Sequence, residues 1–238
     1  MPVLAGVLRA ARALSFEAQR KWAERILRRM WSKAPTKNPI PHAAVALSLV
    51  HTCGLRVVQK RVSYELLRMP TFFKAIVAAL AADEEVQEDS PADAGAEMGL
   101  DEVPRAVLLR LLHAREQLVV AWAEIARKAP VDFVCPLQFP LFTKRGRISI
   151  GDRSLNCASA DVNRVRALWT ELVHTSGMYT QLMADPMLGL QTLIEFPWAK
   201  EGFCEKCVAM RVEAWKELRN KLWDNLDVWL ELTAAEDA

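Results

Sequence analysis

The chain has 238 residues, long enough for one large helical domain or two small ones. With 52% apolar and 25% charged residues it has the makings of a core, which excludes a disordered chain. A net charge of +2 excludes a global pull toward nucleic acid or membrane, so any such attraction depends on where the charge lies.

Pro2 to Ala13 reads as a short apolar helix. Ser15 is placed to cap a second helix that runs to about Trp31, its hydroxyl accepting from the orphan amides of the first turn. On that helix Trp22, Ile26 and Met30 recur every fourth residue, with Arg20, Arg25, Arg28 and Arg29 on other faces. Pro35, Pro39 and Pro41 mark a linker, and Pro41 also suits the first turn of a third helix that Gly54 ends. A fourth helix spans about Leu55 to Met69 with Val58, Val62 and Leu66 inward, and Pro70 stops it. Phe72, Phe73, Ile76, Val77 and Leu80 form a fifth.

Residues 83–102 hold nine acids and no base, with Pro91, Gly95 and Gly99, and no apolar period; this is a solvated acidic loop. A long helix follows from Val103 to Lys128, carrying Leu108, Leu111, Leu118, Trp122 and Ile125. Pro130, Pro136 and Pro140 then interrupt helical structure, and Phe133–Ser159 is irregular, with one short extended run at Arg147–Ile150. Helix resumes from Ala160 to His174 on Val162, Val165, Leu168, Trp169 and Leu172. Asp185-Pro186 opens another that ends near Glu195. From Glu205 to Leu232 a stripe of Val208, Val212, Trp215, Leu222, Leu226 and Trp229 defines the last helix. The expected fold is all-α, in two helical parts (1–82 and 103–238) flanking the acidic loop.

No run approaches the ~18 apolar residues that cross a bilayer, and Arg9 and Arg12 break up the apolar start that a secretory leader needs. Five cysteines are an odd count without a disulfide pattern, which points to a reducing compartment, cytoplasm or nucleus. The first 34 residues carry eight Lys or Arg against two Glu; the simple reading is solvated Arg around a buried stripe.

Phosphate-cradling glycine loops, H-E-x-x-H and G-x-S-x-G are all missing, and the carboxylates lie on charged helix faces or in the acidic loop. His42, His51, His113 and His174 read as packing or surface residues. A chain without a catalytic constellation is expected not to be an enzyme. The cysteines are the exception worth following. Cys204 and Cys207 form a C-x-x-C at the start of the last helix, where both thiolates can face one metal and the helix N-terminus favours their charge. Cys135 and Cys157 lie in the irregular region before it, and the four together make a candidate structural zinc site. Two other readings stand beside it: reduced thiols packed as small hydrophobes, and a redox-active C-x-x-C, which lacks its βαβ setting. Cys53 reads as a core residue.

Of eight tryptophans, Trp22, Trp122, Trp169, Trp215 and Trp229 fit helical stripes and are expected in the core. Trp31, Trp198 and Trp223 are candidates for exposed anchors at an interface.

The run Leu4-Ala5-Gly6-Val7-Leu8-Arg9-Ala10-Ala11 through Phe16-Glu17-Ala18-Gln19-Arg20-Lys21-Trp22-Ala23 resembles the closing helices of a BTB/POZ domain. His42–Leu47, Cys53-Gly54-Leu55, Lys60–Arg68, Asp185–Leu190, the C-x-x-C and Leu222–Leu230 follow in an order that resembles the helical region behind the BTB core in basidiomycete fungal proteins. The BTB core itself is largely missing, and members of the group tend to carry cysteines where Leu188 and Asn163 stand here. The resemblance implies protein–protein interaction, as an adaptor or scaffold. The expectation is therefore a non-enzymatic interaction module for a protein partner, with self-association through the last helix as a separate route. The alternative is a nucleic-acid-associated, transcription-linked protein that uses the basic first helices and Arg145, Arg147 and Arg153.

Overall fold

The structure is a computed structural model that describes residues 2–31, 40, 42–82, 103–132, 135, 142–143, 146–147 and 157–232. Their packing forms two units, residues 1–117 with 224–238, and residues 118–223. The fold is all-α. Among the described residues the one extended pairing is antiparallel, Phe142–Thr143 with Gly146–Arg147. Arg147 thus ends a pair instead of beginning the expected run, whose remainder lies outside the described residues, as do the acidic loop and most of the proline linker. No helix among the described residues is long and apolar enough to cross a membrane.

The first unit begins with α1 (Pro2–Ala13) and α2 (Glu17–Trp31). Ser15 does not cap α2. It sits at φ 56° and closes α1: Ser15 N–H donates to Arg12 O at 3.3 Å and Phe16 N–H to Ala11 O at 2.8 Å. These are the two bonds that satisfy orphan carbonyls at a left-handed helix end. The carbonyl of Phe16 accepts the first bond of α2. α2 also turns a different face inward from the expected one. Ala23, Leu27 and Trp31 are buried, while Trp22 is 49% exposed and Met30 is exposed. The small Ala23 lets α2 close on Ala5, Leu8 and Leu49, an approach that a tryptophan one position earlier would block.

α3 (Ala43–Cys53) is buried along most of its length and closes on Gly54 in the left-handed conformation, as expected. Cys53 packs against the Ala5–Leu8–Ala23–Leu49 cluster. α4 (Arg56–Leu67) buries Val58, Val62 and Leu66, together with an ionic cluster. Glu65, fully buried, pairs with Arg61 at 2.6 Å and Arg68 at 3.4 Å, and accepts from Ile40 N–H at 2.9 Å. α5 (Phe72–Ala82) buries Phe72 and Ile76 and leaves Phe73 and Val77 outward. α6 (Arg105–Arg127) contributes Val107, Leu108, Leu111 and Ala114 here, and Arg115 lies 5.6 Å from the Phe72 ring centre.

The second unit contains the rest of α6, with Leu118, Trp122 and Ala126 buried and Ile125 only half-buried. A short 3₁₀ turn (Ala158–Ala160) precedes α7 (Val162–Trp169), which is capped by Asp161: its carboxylate accepts from Asn163 N–H and Arg164 N–H at 3.0 and 3.1 Å. The expected helix to His174 is continuous, with its last six residues, Thr170–Thr175, widened into a π-helix. Val162, expected inward, is exposed. α8 (Met178–Gln181) is one turn. α9 (Pro186–Glu195) begins on Asp185, which accepts from Leu188 N–H at 3.0 Å, and ends at the residue expected. After a second 3₁₀ turn (Trp198–Glu201), α10 (Glu205–Trp229) closes the fold. Trp215 and Leu222 on it are buried and Val208 and Val212 half-buried; its end, from Asp224, belongs to the first unit, where Leu226 is buried and Trp229 half-buried. Trp31 and Trp198, expected as exposed anchors, are fully buried, and Trp223 is half-buried.

Candidate metal centre

The second unit brings Cys135, Cys157, Cys204 and Cys207 together, with all four sulfurs within 4.8 Å of one another. Cys204 is half-buried and the other three are buried. None of the five cysteines is in a disulfide. The Sγ atoms of Cys135 and Cys204 are 3.7 Å apart and those of Cys157 and Cys207 3.8 Å apart, almost twice the ~2.05 Å of an S–S bond.

Local structure explains the convergence. Gly202, at φ 86°, reverses the chain after the second 3₁₀ turn and aims it into α10. The Gly202 carbonyl accepts from Ala158 N–H at 2.9 Å, and Cys204 N–H donates to Cys157 Sγ at 3.4 Å. Arg164 Nη2 adds a bond to Glu201 O at 2.8 Å. These three bonds clasp the segment from Cys157 to the start of α10. Cys204 occupies the cap position, its carbonyl accepting from Val208 N–H at 3.0 Å, and Cys207 lies in the first turn. Both thiols therefore sit at the positive end of the helix dipole.

The electrostatics of the thiols differ. Burial pushes Cys157 up, but the backbone amides of Cys204 and Ser159 and the thiols of Cys204 and Cys207 outweigh it and bring the group down to about 7. Burial dominates at Cys207 and pushes its thiol well above the usual range.

Two side chains beside the cluster were not expected from the sequence: Ser159 and Arg211, both buried. Arg211 lies four residues after Cys207, on the same face of α10; read along the helix it passes for a solvated arginine between Met210 and Val212. The signal that could have found it is its register with Cys207.

The histidines supply no ligand. His42, His51, His113 and His174 are all exposed. An apolar hollow of about 310 Å³ lies elsewhere in the same unit, walled by Ile125, Trp169, Trp215 and Leu218, with the Lys128–Asp132 ion pair (3.2 Å) at its rim. Comparison of the chain with protein-family models, with curated proteins and with solved structures finds no match.

Proposed function

We propose that this chain is a non-enzymatic helical interaction module, an adaptor or scaffold, whose second unit is stapled by one structural zinc ion held by Cys135, Cys157, Cys204 and Cys207. The observation that carries the proposal is the four-sulfur cluster. Four sulfurs about 2.3 Å from a tetrahedral zinc stand about 3.8 Å from one another, and two of the pairs here are at 3.7 and 3.8 Å. Soft thiolates select zinc over the hard cations, and with four of them no coordination position is left for a substrate. The zinc would tie Cys135 and Cys157 to the start of α10. Such a centre needs reduced thiols, in keeping with cytoplasm or nucleus. The resemblance to the helical region behind a BTB core, and the outward Phe16, Trp22 and Met30 of the first unit, support a surface made for another protein.

The test is a closed coordination shell. Cobalt-substituted protein is expected to give a tetrahedral tetrathiolate spectrum that azide and imidazole leave unchanged. A spectrum that shifts on adding either ligand reveals an open position and contradicts the structural role.

A nucleic-acid reading has one observation in its favour. Trp22, Arg25, Ile26 and Arg29 line a hollow of about 240 Å³ on α2, and an exposed aromatic among arginines suits a stacked base. Binding of single-stranded oligonucleotide that weakens steeply with salt supports it; no binding at low salt removes it.

A further inference from the structure

We propose that Arg211, acting through Ser159, is the positioning residue and counter-charge of the metal centre; the inference rests on the four-thiolate reading above. Four thiolates around a divalent zinc carry two net negative charges, and three of the cysteines here are buried. Burying such a charge is costly unless a cation and hydrogen-bond donors face it.

Arg211 meets that requirement. Its side chain is fully buried, one helical turn beyond Cys207. Nη1 donates to Pro130 O at 2.8 Å and Nη2 to Ser159 Oγ at 3.2 Å. Ser159 is buried in the 3₁₀ turn that Cys157 opens, two residues after that ligand. The guanidinium is thus joined to the turn that carries Cys157, and through its own helix to Cys207 one turn earlier. The Phe203 ring lies 4.7 Å and the Trp198 ring 5.9 Å from the guanidinium carbon, so aromatic faces enclose it as well. Burial works against the charge of Arg211, while Cys207 and Cys157 favour it. Cation and thiolates therefore offset each other's desolvation. The planar fork fixes Pro130, Ser159 and α10 at once, which a lysine ammonium on a flexible stem does not reproduce.

The experiment measures zinc affinity by competition with a chromogenic chelator on wild type, R211M, R211K and S159A, and records the thiolate-to-metal charge-transfer band of the cobalt forms. Methionine keeps the apolar bulk and removes the charge. R211M is expected to bind zinc about 10–100-fold more weakly, the usual cost of losing a partner behind the ligands. R211K is expected to recover part of that loss. S159A should weaken binding in the same direction by less, both R211M and S159A should shift the band, and the double variant should lose less than the two singles combined. R211M that binds zinc as wild type does, with an unmoved band, overturns the role of Arg211 and leaves the centre standing. Wild type that takes up no zinc removes the centre, and this role with it. Should R211M not fold, wild-type affinity and band in both R211K and S159A overturn the inference.

Discussion

The helices of residues 2–82 close on aliphatic side chains at helical spacing, Ala5 and Leu8 against Ala23 and Leu49, and also bury one carboxylate shared by two arginines. The unit of residues 118–223 has a different problem. Among its described residues Pro130, Cys135 and Cys157 lie outside helix and strand, and they meet α10 through sulfur and a buried guanidinium. The contrast teaches that apolar stripes do most of the packing where the chain is periodic, and that clustered thiols and buried polar bonds gather the chain where prolines break the period.

The largest effect that can sharpen this contrast is loss of a ligand. Cys207→Ser is expected to abolish stoichiometric zinc and melt the second unit's tryptophan signals, because structural zinc contributes about 10–16 kcal/mol of apparent binding energy in zinc-finger peptides. Hydrogen exchange in α1 to α4 should be unchanged. Coupled loss of protection in both units breaks the comparison.

Next comes Glu65→Ala, which takes from Arg61 and Arg68 the carboxylate they share. A cost of about 3–5 kcal/mol is expected in denaturant titration, with zinc uptake at its wild-type level. Reduced zinc content in this variant contradicts the separation of the two mechanisms.

Gly189→Ala is a smaller change. A Cβ at Gly189 would stand 2.4 Å from the Trp122 ring, whose Nε1 donates to Tyr179 O at 3.0 Å. Overpacking of about 1–3 kcal/mol is expected, with a shift in tryptophan emission. Wild-type thermal stability and emission would show that α9 does not approach α6 so closely.

Trp22→Ala should cost least, within about 0.5 kcal/mol, as for an exposed side chain. A core-sized loss would restore the Trp22–Ile26–Met30 face as the buried one.

How much of this was legible depended on whether one residue type carried the signal. The all-α class, the close of α3 at Gly54 and the cap of α9 at Asp185 are written in periodicity and in residues with one strong local preference. The inward face of α2 is not, because two stripes one residue apart compete, and the larger side chains of Trp22, Ile26 and Met30 mask the smaller Ala23 that close packing selects. Trp31 and Trp198 were misplaced for a related reason: each lies at an element's end, where period says little and tertiary contacts decide. Ser15 was read for its hydroxyl, whereas its place is set by backbone bonds closing α1. The four cysteines could be gathered on paper because C-x-x-C at a helix start fixes two of them. The clasp between Ala158 and Gly202 depends on long-range packing that no spacing announces, and the buried Arg211 is marked in the sequence only by its register with Cys207.

The central claim is that the four sulfurs hold a metal, and elemental analysis of the untagged chain with thiol counting before and after a strong chelator tests it most directly. The account predicts about one zinc per chain, with Cys135, Cys157, Cys204 and Cys207 shielded until the chelator is added and Cys53 the only thiol to react before it. No metal, and all five thiols reacting without chelation in the folded chain, would contradict it.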